Sequence, residues 1–239
     1  MKKLLFLSFV LVSLLARAQD TQVFNDANAQ KRTVSGSFTA INVSSGIELT
    51  LVQGNEESVA VSASDEKYLS RIKTEVKNGT LSIYYDNEGL KRTSGKMKLK
   101  AWVSCKTLEK LHASSGSEVN VKSAIETTNL DMKFTSGSQF NGKLNAKQLT
   151  IDQSSGSTIN LSGKSDKIIV EVSSGSMFKG YDLTVDYCDA KASSGASVNI
   201  TIQKELNARA SSGGGIKYKG DGLIRDINIS SGGMVKKAS

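Results

Sequence analysis

The sequence contains no proline in 239 residues, two cysteines, one histidine and one tryptophan. Average usage would give roughly 12 prolines in a chain of this length. Their absence excludes collagen-like and proline-rich linker architectures. Two cysteines cannot build a disulfide scaffold or a four-thiolate zinc site. One histidine leaves little room for histidine-based metal or acid–base chemistry. What is present fits a folded chain: 38% hydrophobic residues, 23% charged residues and 21 glycines.

Residues 1–18 read as a leader. Lys2 and Lys3 precede an apolar run over residues 4–15, and Ala16-Arg17-Ala18 supplies a small-x-small cleavage pattern. The run is too short to span a bilayer as a mature helix. No cysteine follows it, so lipoprotein anchoring is not indicated. The expected mature chain is residues 19–239. Losing Lys2, Lys3 and Arg17 lowers the net charge from +8 to +5. Export through a cleaved signal peptide is expected, to the periplasm, the cell surface or the medium. No transmembrane segment is expected in the mature chain.

A repeat organises the region from residue 106 onward. Ser-Ser-Gly, once Thr-Ser-Gly, recurs with its glycine at Gly116, Gly137, Gly156, Gly175, Gly195, Gly213 and Gly232. Successive glycines are spaced at about 20 residues, a period typical of repeat architectures. An earlier copy, Ser44-Ser45-Gly46, stands alone. Three positions after each later glycine lies an apolar residue: Val119, Phe140, Ile159, Phe178, Val198, Ile216 and Val235. Five positions before it lies another: Leu111, Met132, Ile151, Val170, Ala190, Ala208 and Ile227. A polar column starts at His112 and continues through Lys133, Asp152, Glu171, Lys191, Arg209 and Asn228.

This alternation has period two, the mark of strands with one buried face. A repeat of about 20 residues is too short for a propeller blade, and this one lacks the leucine-rich consensus. It suits one coil of a parallel β-helix. Seven coils stacked at about 4.8 Å make a column roughly 34 Å tall. The missing proline then has a cause. Each backbone N–H pairs with the next coil, and proline has none. The glycines have one too, since a sharp corner often needs positive φ. The motif is therefore assigned to corner-making rather than to a ligand.

Residues 19–105 are expected to supply early strands and a cap for the open end of the stack. Ile41, Val43, Ile47, Leu49 and Leu51 alternate with polar residues around Gly46. Residues 64–72 suit a short helix capped by Ser64 or Asp65, with Tyr68, Leu69 and Ile72 inward. Asn78-Gly79 signals a hairpin. No linker separates the halves, so residues 19–239 read as one domain.

The opening Val34-Ser35-Gly36-Ser37-Phe38-Thr39-Ala40-Ile41-Asn42-Val43-Ser44-Ser45-Gly46, continued by Ile47-Glu48-Leu49-Thr50-Leu51-Val52-Gln53-Gly54, precedes the Ser-Ser-Gly array. In this combination, over about residues 30–235, the chain resembles the bacterial family called the putative auto-transporter adhesin, head GIN domain. The resemblance implies a right-handed β-helix, export and an adhesin-like role. It offers no catalytic residues. Nothing after Gly233 looks like a membrane barrel, so a stand-alone head-like domain is expected.

The residues themselves support no catalytic set. A Ser-His-Asp triad would need His112, which lies in the outward column beside serines that any such coil places there. No Gly-x-Ser-x-Gly elbow occurs. Asp152 and Glu171 fall on adjacent coils, as carboxylates of a polysaccharide-active β-helix would, but Lys133 and Lys191 flank them as in a solvated charge ladder. Cys105 and Cys188 lie about four coils apart, roughly 19 Å, and a disulfide needs Cα atoms within about 7 Å. Two separate buried thiols are expected. No cofactor or metal is expected.

Two surfaces remain as binding candidates. One is a basic strand, where Lys96, Lys98 and Lys100 alternate up to Trp102, with Lys91 and Arg92 nearby. It reads first as an edge strand defended by lysines and second as a contact for a polyanion. The other is the column four positions after each glycine: Asn120, Asn141, Asn160, Lys179, Asn199, Lys217 and Lys236. The expected function is a non-enzymatic, adhesin-like module of the cell envelope that binds a glycan or another envelope component. Nucleic acid does not fit an exported chain. A structural or self-assembling role is the alternative, and a polysaccharide-active enzyme the weaker one.

Overall fold

In the computed structural model, residue 26, residues 28–89 and residues 97–238 are described. The expected leader, with Lys91, Arg92 and Lys96, lies outside the described residues. The elements are almost all strands: β1 (Gln30–Arg32), β2 (Ala40–Val43), β3 (Glu48–Gln53), β4 (Ser58–Ala63), a single turn of helix α1 (Glu66–Leu69), β5 (Ile72–Lys77), β6 (Thr80–Tyr85), β7 (Leu99–Cys105), β8 (Lys110–Ala113) and β9 (Glu118–Val121). The repeat continues as β10 (Ile125–Phe134), β11 (Gln139–Gln153), β12 (Thr158–Val172), β13 (Met177–Ala192), β14 (Ser197–Ala210), β15 (Gly215–Lys219), β16 (Leu223–Ile229) and β17 (Met234–Lys237).

These strands form a parallel β-solenoid. Each repeat pairs in parallel with the next, and equivalent residues stack. The polar column runs Asn42, His112, Lys133, Asp152, Glu171, Lys191, Arg209, Asn228 as consecutive Cα partners. The apolar columns point inward. Leu111, Met132, Ile151, Val170, Ala190 and Ala208 are all buried, as are Val119, Phe140, Ile159, Phe178, Val198 and Ile216. In the last coil the same positions are Ile227, which is exposed, and Val235, which is only partly buried.

The Ser-Ser-Gly corner is a tight turn built on two left-handed residues. The corner glycines hold φ near +70° and the serine before each holds φ between 47° and 65°. Positive φ at both central positions marks a type I′ turn. The closing bond is present in each copy from Gly116 onward, for example Ser117 N–H to Ser114 O (3.2 Å) and Ser176 N–H to Ser173 O (3.1 Å). The glycine N–H donates to the serine carbonyl of the next coil, as from Gly116 to Ser136 and from Gly175 to Ser194. The corner therefore belongs to the inter-coil ladder. The residue after the central glycine turns inward: Ser117, Ser138, Ser157 and Ser176 are buried. Ser138 Oγ donates to Ala113 O (3.0 Å) and Ser157 Oγ to Phe134 O (2.9 Å). Their hydroxyls thus satisfy strand carbonyls inside the stack.

Strands β11 to β14 each bend once more, at a second corner. In β12 the alternation of buried and exposed residues breaks at Ser162-Gly163-Lys164, where Gly163 has φ +117°. The residues before and after the break enter the same core. A Cβ on Gly163 would lie 2.0 Å from Leu144 O, so only glycine fits there.

The cap departs from the repeat. The first coil, β2 and β3, is followed by an excursion through β4, α1, β5 and β6 to β7. Strands β6 and β7 then pair in parallel beneath β2 and β3. Antiparallel strands end the stacking: β5 pairs with β6, and β4 pairs with β7 and then β1. The expected hairpin forms at Asn78-Gly79, both at positive φ. The helix is shorter than its sequence signal. Asp65 caps it, Leu69 is buried, and Ile72 already begins β5.

Candidate functional site

Strand β7 is not an edge. It pairs with β3 on one side and β4 on the other. The defended-edge reading of its lysines is therefore corrected, because β4, from well upstream in the chain, covers the side that the sequence leaves open. Lys100 Nζ instead sits 3.6 Å from Asp26 Oδ2, and Trp102 is buried to 6% exposure opposite Ala60. Lys98 precedes the strand, where its N–H donates to Ser64 Oγ. The tryptophan does not present an open platform.

The two candidate surfaces meet at Trp102, which joins the second column, whereas Lys100 pairs with Glu48 in the column beside it. Trp102 pairs with Thr50, Thr50 with Asn120, and the line continues through Asn141, Asn160, Lys179, Asn199, Lys217 and Lys236. Its asparagines form a joined amide ladder. Asn120 Nδ2 donates to Glu118 Oε1 (3.0 Å), Asn141 Nδ2 to Asn120 Oδ1 (3.2 Å), and Asn160 Nδ2 to Asn141 Oδ1 (2.6 Å). Each amide orients its neighbour, so the donors and acceptors are fixed along the column. Lys179 interrupts it. Beyond Lys179, Asn199 Oδ1 is buried with no hydrogen-bond partner.

A wall rises beside this floor. Between the partners Gly180/Ile200 and Thr184/Thr201, β13 carries three extra residues, Tyr181, Asp182 and Leu183. Leu183 returns to the core, whereas Tyr181 and Asp182 border the ladder. Thr201 Oγ1 holds the bulge by donating to Tyr181 O (2.7 Å). Lys219 Nζ lies 5.1 Å from the centre of the Tyr181 ring. Burial raises the Tyr181 pKa above its ordinary value. Floor and wall enclose an open groove of about 690 Å³. Lys122 and Lys143 add cations at its rim.

Packing explains why the bulge begins at Gly180. Phe178 occupies the interior there, and a Cβ on Gly180 would lie 2.5 Å from its ring. Phe140 and Gly142 repeat the relation, at 2.9 Å. Coils with the smaller Ile159 or Val198 carry Leu161 or Ile200 two positions on, so the filled volume is conserved. Sequence reasoning locates Asn120, Asn141 and Asn160 but not Tyr181. The one signal for it is uneven spacing: the interval from Gly175 to Gly195 is longer than that from Gly195 to Gly213.

The catalytic candidates do not assemble. Asp152 pairs with Lys133 (3.1 Å) and Glu171 with Lys191 (3.4 Å), on an exposed ladder. His112 is half-buried between Asn42 and Lys133, and burial lowers its pKa. Cys105 and Cys188 are separate and buried. Burial pushes the Cys105 thiol up to about 11 and the Cys188 thiol up as well. Among the described residues no cluster of histidine, cysteine and carboxylate suits a metal, and no helix is long and apolar enough to cross a membrane.

A family model described as "Putative auto-transporter adhesin, head GIN domain" matches residues 37–222. The chain belongs to that family. No curated protein is similar enough to be counted a relative. Solved structures share the fold. A "putative adhesin" from Bacteroides fragilis has a TM-score of 0.77 at 17% identity, covering 88% of this chain and 96% of that one. A "putative adhesin" from Parabacteroides distasonis has a TM-score of 0.69 at 17% identity, covering 88% and 96%. A "Putative lipid binding protein" from the same species has a TM-score of 0.64 at 19% identity, covering 90% and 98%. By its family the chain is an adhesin-like protein.

Proposed function

We propose that this GIN-domain chain is an exported, non-enzymatic binding module whose ligand is a glycan of the cell envelope or of a neighbouring surface. The groove over the amide ladder carries the reading. Asn120, Asn141 and Asn160 present alternating donors and acceptors at the inter-coil spacing, and Tyr181 supplies an aromatic wall. Sugar hydroxyls need this mixture of oriented amides and a stacking face. Lys122, Lys143 and Lys179 favour an acidic sugar. One structural neighbour is described as a lipid binder, but here the space between the sheets is filled by core side chains. A lipid acyl chain finds no room in that interior. Residues 1–18 serve as the export leader, and residues 19–239 form one domain.

A panel of neutral and acidic oligosaccharides titrated against residues 19–239 tests this. Acidic oligosaccharides should bind, and Tyr181→Ala should weaken them about tenfold or more, equivalent to about 1.4 kcal/mol. Binding to anionic vesicles with no oligosaccharide bound would contradict the glycan reading.

A further inference from the structure

The two ends of the solenoid differ. Antiparallel β5, β4 and β1 close the N-terminal end. At the other end β16 pairs only with β14, and β17 only with β15, among the described residues. Five of the seven exposed large apolar side chains of the described residues sit here: Leu223, Ile224, Ile227, Ile229 and Met234. Ile224 stands opposite Leu206 and Ile227 opposite Ala208, so both point into the core column and are left open at its base. The outer edge of β16 also presents unpaired backbone groups, a template for another strand.

The face pattern of β16 is a palindrome. A one-residue bulge falls between Leu206/Ile224 and Asn207/Asp226. Arg225, the extra residue, faces outward with Nε 3.2 Å from Glu205 Oε2. Asp226 faces outward beside Asn207. The order is therefore Leu223 out, Ile224 in, Arg225 out, Asp226 out, Ile227 in, Asn228 out. Such a strand can pair antiparallel with its own copy about a two-fold axis between Arg225 and Asp226. Arg225 then meets the partner's Asp226, and Ile224 meets the partner's Ile227, each twice. Residues opposite in an antiparallel pair share a face. Every pair here matches in face, and the four central ones match in charge or in apolar character as well. Without the bulge, the inward residues would oppose outward ones.

We infer that the open C-terminal end is an isologous interface: two copies join end to end through β16, and their cores become continuous. The groove lies on the side wall and stays accessible, so the interface and the glycan reading stand or fall separately.

Sedimentation of residues 19–239 over a concentration series tests this. The chain should dimerise. Arg225→Asp places like charges opposite each other, as does Asp226→Arg, and each should weaken the dimer about tenfold or more. Mixing the two single variants restores both opposite-charge pairs and should restore a heterodimer. The double variant Arg225→Asp/Asp226→Arg should dimerise alone. Ile227→Lys should leave monomers with unchanged circular dichroism. A chain that stays monomeric at high micromolar concentration overturns the inference. A dimer indifferent to both charge changes, or single variants that fail to complement on mixing, overturns it equally.

Discussion

The two corners of each coil are made differently. The Ser-Ser-Gly corner recurs along the stack with the same turn, the same left-handed φ values and the same hydrogen bond to the next coil. The second corner varies. It is a bare glycine at Gly163, a three-residue bulge in β13 and a shorter passage in β14. Recurrence marks what the stack requires of all coils. Irregularity marks where one coil does something the others do not. Here that is Tyr181, raised beside an amide floor.

The largest expected effect lies under the irregular corner. Phe178→Ala empties the interior below Gly180, and truncating a fully buried phenylalanine costs about 3–5 kcal/mol. Denaturant unfolding should show that loss, and binding should fall with it because the bulge loses its support. A loss under about 1 kcal/mol would mean that the bulge does not rest on the core.

Next comes the regular corner. Gly175 has φ +70° with no atom within 4 Å of where a Cβ would sit, so the cost of Gly175→Val is backbone strain rather than collision. It should be about 1–3 kcal/mol. Gly175→Asn should recover most of that, since asparagine tolerates the left-handed region. Equal losses for both would point to a cause other than φ. Smaller again is Ser157→Ala. It removes the bond to Phe134 O and should cost about 0.5–1.5 kcal/mol by the same measurement.

The smallest effect is a pH dependence. Burial lowers the His112 pKa in the folded state, so the unfolded chain binds the proton more readily. Stability should therefore begin to fall as pH drops through about 6.5, and continue to fall until the folded-state pKa is passed. Unfolding of His112→Gln across the same range should lack that component. An identical profile would show that the histidine is not felt by the fold.

The stack is legible in the sequence because its rules are local and repeated. Apolar columns, polar columns and corner glycines each recur at fixed offsets, and Asn120, Asn141 and Asn160 fall into line from the count alone. The positive φ of the serines is not legible. Serine carries no strong preference for it, and only the turn geometry imposes it. Strand β7 reads as an edge because its cover, β4, comes from a distant part of the chain. Tyr181 escapes notice for a related reason. The long interval before Gly195 and the short one after it report that a bulge exists, but only the paired register shows where it falls.

The most direct test sets Gly175→Val beside Tyr181→Ala, each measured for unfolding free energy and for acidic oligosaccharide affinity. A crossed result is expected. Gly175→Val loses about 1–3 kcal/mol of stability and, while folded, keeps its affinity. Tyr181→Ala stays within about 1 kcal/mol in stability and loses affinity about tenfold. Full stability with lost binding in Gly175→Val would contradict this division of roles, and would make the Ser-Ser-Gly ladder the binding surface.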